Sequence, residues 1–405
     1  MESWAGTSDR EPPELERAPE GTPLYVHLPF CASKCHYCDF YSLPDAGQDI
    51  DGTLDSVLQE ARTRAPRNPR TVFFGGGTPS LLSIDQWRRF ADELDAITGF
   101  RDAADEVTAE CNPESLDRDK AAALLDLGIP RLSIGFQSLN DQRLEDFGRV
   151  HDHRASFEAY AAARDAGVER VNVDLIFAAP GQTLEEWQSE LDRVLALRPD
   201  SFSAYNLTIE EGTLFHRWHQ QGRLERAPED TELAMFHAAR RTAQEQGYEA
   251  YEVSNFSLPG AHCEHNINYW QNGPYLGLGP SAVSKVGPTR LGNVRILGPY
   301  RARMRETGQA IDWRETLAPD HRLAETWWLG LRMERGLNPE DARRAAECED
   351  PEALERARGL ADDLVEKGLL ELLGDAYRLS PAGRPLADAV AAEFLRRVPL
   401  ETHPA

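Results

Sequence analysis

Short apolar runs alternate with amphipathic segments through the first half of the chain. The runs have the length and the Val, Ile, Leu and Phe content of buried strands, and they cover residues 24–28, 71–74, 105–109, 131–134, 171–177 and 201–207. Between the runs, apolar residues recur every three or four positions. This period predicts helices at residues 53–64, 84–98, 117–127, 139–147, 153–166 and 183–196.

Strands that alternate with helices predict an α/β fold built from βαβ units around a parallel sheet. Six units are fewer than a closed eight-stranded barrel needs, so we predict an open, partial (β/α)6 barrel over residues 21–246. A further helix near residues 230–246 belongs to this domain. Ligands of such sheets bind in the loops after the C-terminal ends of the strands. We therefore expect the functional residues in those loops.

The pattern changes beyond residue 246. Residues 247–318 are rich in Gly, Asn, Tyr and Pro, with few periodic runs, which predicts an irregular region that covers the barrel. Residues 319–405 contain a hairpin that turns at Gly374-Asp375, and helical patterns at 320–333, 351–367 and 380–396. This order of elements predicts a C-terminal winged-helix-like α+β domain. Such modules often bind DNA, but this one is acidic.

The chain carries a large excess of negative charge. It has 44 Lys and Arg against 68 Asp and Glu, a net charge of −24 at pH 7. The acidic residues are spread along the chain, which favours a surface adapted to high salt over one specific acidic interaction surface. A charge of this sign disfavours binding to nucleic acid or anionic lipid, and the sequence has no basic stripe.

No run approaches the length of about 18 apolar residues that a membrane span needs. The first twenty residues are acidic and Pro-rich, and they lack the apolar segment of a secretory signal. We therefore predict a disordered acidic leader over residues 1–20 and a cytoplasmic location.

Three of the six cysteines lie in the segment CASKCHYC, directly after the first predicted strand. Cys31, Cys35 and Cys38 have the spacing C-x3-C-x2-C, and thiolates are natural ligands of iron–sulfur clusters. A cluster held at three corners leaves a fourth iron open to a methionine derivative. The alternatives are a structural zinc site completed by His36, which adjoins Cys35 directly, and three unrelated thiols.

Two more loops carry candidate ligand-binding groups at the ends of predicted strands. The segment FFGGGTPS follows the second strand, and its three glycines let the backbone approach a ligand closely. A tight turn would not require all three. Glu110 ends the third strand in TAECNPES, where a carboxylate could accept hydrogen bonds from an amine or a ribose. Ordinary polar capping is the alternative for such residues.

The motif C-x3-C-x-Tyr-C in the first loop of a partial barrel resembles the radical S-adenosylmethionine superfamily. The longer segment YVHLPFCASKCHYCDF resembles the branch that contains the anaerobic coproporphyrinogen III dehydrogenases and the HemW haem chaperones. The resemblance implies a [4Fe–4S] cluster on the three cysteines and S-adenosylmethionine bound beside it. The positions it implies for S-adenosylmethionine are Tyr25, Tyr37, Gly76, Gly77, Thr78, Glu110, Gln137, Arg149 and Asp174.

The resemblance also implies reductive chemistry, in which S-adenosylmethionine yields methionine and a 5′-deoxyadenosyl radical that abstracts hydrogen from C–H bonds. An electron donor such as flavodoxin or ferredoxin is then expected. For Tyr37, simple core packing is the alternative to contact with the adenine. One departure from the family is Ala178-Ala179, which stands where Gly-Leu is usual before Pro-Gly-Gln-Thr.

Two positions favour the haem chaperones over the dehydrogenases. The dehydrogenases have a fourth cysteine two residues beyond the third, and Phe40 occupies that position here. His265 begins the segment HNINYW, which resembles a chaperone motif whose histidine is implicated as a haem-iron ligand. Tyr269 and Trp270 offer flat faces to a porphyrin. The alternatives are a histidine hydrogen-bonded within the fold, and Cys263 as a competing ligand.

The resemblance therefore implies a protein that binds haem, a [4Fe–4S] cluster and S-adenosylmethionine and delivers haem to respiratory apoproteins, which would place it peripherally at a membrane. The region at residues 247–318 would cover the haem or substrate. An open iron could also join two copies in a homodimer. Two other hypotheses are an enzyme that converts coproporphyrinogen III to protoporphyrinogen IX, and a radical enzyme with another substrate. The sequence leaves open whether the protein acts as an enzyme.

Overall fold

The computed structural model of the protein describes residues 17–396. Residues 1–16, which form most of the predicted leader, and residues 397–405, the end of the predicted C-terminal domain, lie outside the described residues. No helix in the described part of the chain is long and apolar enough to cross a membrane.

The strands of the predicted barrel are all present. In chain order the strands are β1 (Leu24–Leu28), β2 (Phe30–Cys31), β3 (Leu43–Pro44), β4 (Thr71–Gly76), β5 (Glu106–Cys111), β6 (Arg131–Gln137), β7 (Arg170–Phe177), β8 (Ser201–Asn206), β9 (Glu249–Ala250), β10 (Asn255–Ser257), β11 (Leu276–Leu278), β12 (Val283–Val286), β13 (Thr289–Asn293), β14 (Ile311–Thr316), β15 (Leu370–Leu373) and β16 (Ala376–Leu379).

The helices predicted between the barrel strands also form, and two of them begin with the reciprocal Ser/Thr and Gln/Glu capping box, at Ser83 and Thr183. In chain order the helices are α1 (Ile50–Arg64), α2 (Ile84–Thr98), α3 (Phe100–Ala103), α4 (Arg118–Asp126), α5 (Asp141–Asp146), α6 (His153–Asp165), α7 (Leu184–Leu195), α8 (Leu214–Gln220), α9 (Glu229–Glu245), α10 (Glu264–Trp270), α11 (Leu297–Thr307), α12 (Pro319–Gly330), α13 (Pro339–Ala346), α14 (Pro351–Glu366) and α15 (Ala387–Arg396).

The main sheet has the strand order β11-β1-β4-β5-β6-β7-β8-β10-β9. From β1 to β8 the neighbouring strands are parallel, as βαβ crossovers require. Strands β11 and β9 are the two ends of this order and do not pair with each other in the described residues. The sheet is therefore an open, partial barrel, which confirms the predicted fold class.

The barrel strands have two chemically different faces. On β5, for example, Val107 and Ala109 are buried in the main hydrophobic core against the helices. Because side chains alternate across a strand, Glu106, Thr108 and Glu110 face the barrel interior. The other parallel strands repeat this alternation, so the interior is lined by polar and aromatic side chains, whereas the apolar core lies outside it.

Residues 247–318, called the covering region below, are more regular than their composition indicates. Strand β11 extends the barrel sheet beside β1, and β10 pairs with β8 at the other side. Strands β12, β13 and β14 form a separate antiparallel sheet. These strands have between three and six residues, which is too short for a periodic pattern to be recognised in the sequence.

The C-terminal part combines helices α12 to α15 with the predicted hairpin β15–β16. Gly374 has a φ of +64° in the turn of this hairpin. The last helix begins at Ala387, later than predicted, because Pro381 and Pro385 interrupt the apolar pattern before it. This part has its own core, in which Trp327 and Phe394 stack at 4.9 Å. The domain boundaries proposed from the sequence stay a prediction.

Candidate functional site

The segment with the three clustered cysteines, residues 31–42, lies between β2 and β3 and is called the cysteine loop below. His36 anchors this loop through hydrogen bonds to two neighbouring segments. Its N–H donates to Phe147 O at 2.8 Å, its Nδ1 donates to Asp146 O at 2.8 Å, and its carbonyl accepts from Phe215 N–H. The imidazole is thus engaged away from the thiols.

No three His, Cys, Asp or Glu side chains among residues 17–396 are arranged to hold a single metal ion. In the zinc alternative His36 would be the fourth ligand, but its Nδ1 is already bonded to Asp146 O. Three thiols on one loop suit an iron–sulfur cluster, whose natural ligands are thiolates. The remaining cysteines, at 111, 263 and 348, are buried outside this loop.

Each thiol of the cysteine loop has a different polar donor beside it. Thr78 Oγ1 lies 3.6 Å from Cys31 Sγ, Arg149 Nη1 lies 3.6 Å from Cys35 Sγ, and Lys34 Nζ lies 3.9 Å from Cys38 Sγ. Two of these donors are cations in a chain with a net charge of −24. Burial raises the pKa of the Cys31 and Cys38 thiols, and Thr78 and Lys34 offset part of this rise. Cations and hydroxyl donors stabilise anionic sulfur, so the residues present fit a group bound through thiolates.

The glycine turn after β4 packs directly against the start of the cysteine loop. Gly77 N–H donates to Leu28 O at 2.8 Å, and a Cβ at Gly77 would lie 2.5 Å from Phe30 O. Gly76 has a φ of +103°, and a Cβ there would meet the ring of His27. Both positions therefore require glycine, which gives a packing reason for two of the three glycines in the run.

Two of the thiols are linked by a hydrogen-bonded chain through Asn112. Asn112 Nδ2 donates to Thr78 Oγ1 at 2.9 Å, and its Oδ1 accepts from Arg149 Nη2 at 2.6 Å. Thr78 and Arg149 in turn contact Cys31 and Cys35. Asn112 was not among the residues predicted from the sequence. Its position two residues after Glu110, at the end of β5, is the signal that could have identified it.

The barrel interior brings two carboxyl groups together at the strand ends. Glu110 Oε2 accepts from Gly76 N–H at 3.1 Å, and Asp174 accepts from Ser133 Oγ and Asn172 Nδ2 at 2.8 and 2.9 Å. Burial and the neighbouring Asp174 raise the pKa of Glu110 to about 8, against the effect of the Gly76 hydrogen bond. The two acids form a pocket that favours a cationic ligand.

Replacement of Glu110 by glutamine is expected to weaken the pH dependence of folding stability. The folded-state pKa of about 8 lies above the ordinary 4.5, so this carboxyl contributes stability below pH 4.5 that is lost as the pH rises through about 8. Unfolding midpoints of the ligand-free protein between about pH 5 and 8.5 measure this loss. The exposed Glu158→Gln on α6 is the control, and equal pH dependence in both variants would contradict the prediction.

Gln137 lies at an irregularity of β6, where the register with β7 shifts between Gly135 and Gln137. Its φ is +65°, which turns the chain at the end of the strand. A Cβ at Gly135 would meet Gln137 Nε2 at 2.7 Å, Arg149 Nη2 at 3.0 Å and Asn112 Oδ1 at 3.1 Å. The missing side chain of Gly135 therefore lets these three polar groups meet.

The two predicted tyrosines have different surroundings. Tyr25 faces the barrel interior, and its hydroxyl donates to His27 Nδ1 at 3.0 Å while His27 Nε2 donates to Tyr41 O at 2.8 Å. Burial lowers the pKa of His27 to about 4, so this histidine is neutral at pH 7. Tyr37 packs edge-to-face on Phe147 at 5.2 Å, beside a small apolar cluster. Its predicted contact with adenine stays a prediction.

The Ala178-Ala179 departure from the family falls at a strained turn after β7. Ala178 has a φ of +60°, the left-handed region that favours glycine. Both alanines are buried, so each loses methyl burial and gains unfolded-chain entropy when replaced by glycine. Only Ala178 also loses the left-handed strain, so we expect Ala178→Gly to destabilise the protein by about 1 kcal/mol less than the control Ala179→Gly. An equal loss of stability in both variants, measured by denaturant unfolding, would contradict the prediction.

An open cavity of about 420 Å³ lies between the cysteine loop and the covering region. The barrel contributes Tyr25 and His27 to its wall, and the cysteine loop contributes Phe40, which is 66% exposed. Tyr269 and Tyr275 line the opposite side. This cavity is the place in the described chain where the cysteine loop, the barrel interior and the covering region meet.

His265 lies behind this cavity, on α10. It is 1% exposed, its Nδ1 is 2.7 Å from Thr71 Oγ1, and its Nε2 is 3.0 Å from Tyr269 Oη. Glu106 fixes the start of α10 by accepting from the backbone N–H of His265 at 3.1 Å. Burial lowers the pKa of His265 to about 3. Its predicted role as a haem-iron ligand stays a prediction, and ligation through Nε2 would require the contact with Tyr269 to break.

A partial barrel with three cysteines after its first strand and a glycine turn after its second defines the class of radical S-adenosylmethionine proteins. The model of that family, the radical SAM superfamily, matches residues 25–194. The heme chaperone HemW of Bacillus subtilis is 33% identical over 92% of this chain and 98% of its own length. A mitochondrial radical S-adenosyl methionine domain-containing protein 1 of Bos taurus is 35% identical over 93% of this chain and 87% of its own.

The chain therefore belongs to the HemW family within the radical SAM superfamily. Among solved structures, the coproporphyrinogen III oxidase HemN of Escherichia coli has a similar fold. Its TM-score is 0.79, with 24% sequence identity, over 95% of this chain and 91% of the oxidase. At that identity the likeness confirms the architecture of the barrel.

Proposed function

We propose that this protein binds haem, holds a [4Fe–4S] cluster and S-adenosylmethionine, and delivers haem to respiratory apoproteins. Membership of the HemW family supports the haem chaperone reading. The observation that carries it is the aromatic cavity beside the cysteine loop, with Phe40 where a dehydrogenase has a fourth cysteine. Delivery would take place in the cytoplasm, at a membrane reached through the partner proteins.

The cluster would be held by Cys31, Cys35 and Cys38, and it would supply the electron for reductive cleavage of S-adenosylmethionine. The protein side chains orient and enclose these groups. Lys34 and Arg149 place positive charge beside the sulfurs, as described above. These cations lower the free energy of the anionic thiolates.

S-adenosylmethionine would lie across the strand ends. The glycine turn at residues 75–77 exposes backbone groups to its methionine part, and Glu110 and Asp174 offer carboxylates to its amine or ribose. Gln137, Thr78 and Arg149 complete this polar wall, and the half-buried Tyr25 lies beside it. A flavodoxin or ferredoxin is the class of electron donor that such chemistry needs, and a homodimer formed at the open iron is compatible with a cysteine loop at the surface.

The domain roles follow from this proposal. Residues 21–246 form the radical SAM barrel, residues 247–318 cover the bound haem or substrate, and residues 319–405 form a winged-helix-like domain. The chain is acidic, so we propose no nucleic-acid partner.

Anaerobic reconstitution with iron and sulfide, followed by parallel haem titration and coproporphyrinogen III turnover, tests the proposal. We expect haem to bind and no protoporphyrinogen IX to form. Transfer of haem from the loaded protein to a haem-free respiratory apoprotein, followed by absorbance, tests delivery. Conversion of coproporphyrinogen III to protoporphyrinogen IX would instead identify a dehydrogenase, and failure of the wild-type protein to bind haem would refute the chaperone proposal.

A further inference from the structure

A second cavity, of about 510 Å³, lies between the outer edge of the main sheet and the C-terminal part, and it is called the edge cavity below. Helix α9 and strands β9 and β10 form one side of it, and Glu334, Pro381 and Arg384 form the other. The described residues in its wall are all different from those that border the cavity beside the cysteine loop. Its volume is typical of a site for a small organic ligand.

One face of α9 lines the edge cavity with nitrogen-bearing side chains. His237, Arg240, Arg241 and Gln244 all border it, and they are three or four positions apart. This spacing places the four side chains on the same side of a helix. The wall that α9 contributes is therefore rich in N–H donors.

Two arginines on opposite sides of the edge cavity share one carboxylate. Glu334 accepts from Arg240 Nη2 at 2.7 Å and from Arg384 Nη2 at 2.5 Å, and each arginine side chain is only 16% exposed. Arg240 also lies over the rings of Phe236 and Phe256 at 5.8 and 6.0 Å. Because these contacts hold the guanidinium groups in place, a ligand would bind them with little further loss of side-chain entropy.

The positive charge in this wall exceeds the negative charge. Three arginines, with Arg241 as the third, border the edge cavity together with two carboxylates, Glu249 and Glu334. Arg241 is exposed and has no ion pair or hydrogen bond within residues 17–396. The buried Nη1 of Arg240 also lacks a hydrogen-bond partner in this part of the chain. In a chain of net charge −24, such a surplus around a cavity favours an anionic ligand.

We propose that the edge cavity binds a small organic phosphate, with the phosphate group at the arginines and an apolar part against the half-buried Phe236. A phosphate ester carries up to two negative charges and three acceptor oxygens. A carboxylate has fewer of both, and Glu334 already supplies one carboxylate to Arg240 and Arg384. The third arginine, Arg241, is left to bind the ligand. This site is separate from the proposed haem and cluster sites and does not depend on them.

Isothermal titration calorimetry of the full-length protein tests the inference, with phenyl phosphate as the probe. Inorganic phosphate and phenol each lack one half of this probe, and benzoate replaces its phosphate by a carboxylate. We expect phenyl phosphate to bind more tightly than any of the three. Arg241→Gln should weaken its binding by at least about tenfold, because a hydrogen bond between charged groups is lost. Since Arg241 is exposed, this variant should fold normally.

Two further variants complete the test. Arg384→Gln removes a cation from the opposite side of the edge cavity and should also weaken the binding of phenyl phosphate. Arg118→Gln on α4 is the matched control, since it is another exposed arginine without an ion pair in the described residues, and it should bind like the wild type. Absence of binding, or equal affinity in Arg241→Gln and the wild type, would overturn the site. Equally tight binding of inorganic phosphate, phenol or benzoate would overturn the assignment to an organic phosphate.

Discussion

Replacing Cys35 by alanine is expected to abolish incorporation of the iron–sulfur cluster. One thiolate of the C-x3-C-x2-C set is removed, and the Arg149 guanidinium 3.6 Å away loses its anionic partner. Mutation of the groups around a metal ligand already lowers metal affinity by about tenfold or more, and loss of a ligand lowers it further. We therefore expect bound iron after anaerobic reconstitution to fall by more than about tenfold. Iron and sulfide assays and the absorbance of the cluster measure the change.

The matched control for this change is Cys348→Ala. Cys348 is buried in the separate core of the C-terminal part, so its removal should lower stability slightly and leave the cluster content at the wild-type level. Equal iron content in Cys35→Ala and the wild-type protein would show that the cysteine loop does not hold the cluster.

Replacing Glu60 by glutamine is expected to lower the free energy of unfolding by about 3–5 kcal/mol. Glu60 is fully buried on α1 and pairs with Arg64 Nη1 at 2.5 Å. It also accepts from Gly279 N–H, Asn293 Nδ2 and Tyr300 Oη at 3.0, 2.8 and 2.8 Å. Glutamine presents an N–H₂ group to these donors and leaves Arg64 as an uncompensated buried charge.

This carboxylate joins the barrel to the covering region, because its partners beyond α1 all lie between residues 279 and 300. Loss of the contacts should therefore also loosen the wall of the cavity. Glu93→Gln is the control, since its ion pair with Arg62 is exposed and should contribute at most about 1 kcal/mol. Denaturant unfolding followed by tryptophan fluorescence compares them, and an equal change in both variants would contradict the prediction.

The polar groups at the strand ends and the aromatic cavity occupy different parts of the barrel. The strand ends hold the polar groups, among them the chain from Thr78 through Asn112 to Arg149, while the aromatic cavity opens at the side of the barrel. A closed barrel would have no such lateral opening. Strand β11, from the covering region, pairs with β1 at this edge and so brings Tyr269 and Tyr275 beside the cysteine loop.

The barrel could be predicted from the sequence because its signals are local. Apolar side chains on alternate positions of β5, β6 and β7 pack against amphipathic helices, and each helix follows its strand within a few residues. The cysteine loop and the glycine turn are also continuous segments, so their spacing alone carries the prediction. The helix at Pro339–Ala346 was not predicted from the sequence. Its eight residues form little more than two helical turns, which is too few for a clear hydrophobic period.

Other features depend on residues far apart in the chain. The link through Asn112 joins loops after three different strands, and nothing in the spacing of Thr78, Asn112 and Arg149 predicts that they meet. From the HNINYW segment, His265 was predicted as a possible haem-iron ligand and Tyr269 as a flat aromatic face for a porphyrin. Only their packing decides which of them borders the cavity and which is enclosed behind it.

The α/β class, the partial barrel, the three-cysteine loop and the family could be inferred from the sequence, because they follow from periodicity and from short motifs. The environment of each side chain depends on the folded chain: the raised pKa of Glu110, the enclosure of His265 and the exposed cavity beside Phe40. The physical reason is that burial and hydrogen bonding arise from contacts between distant segments, and these contacts set the charge state and reach of a group whatever motif contains it.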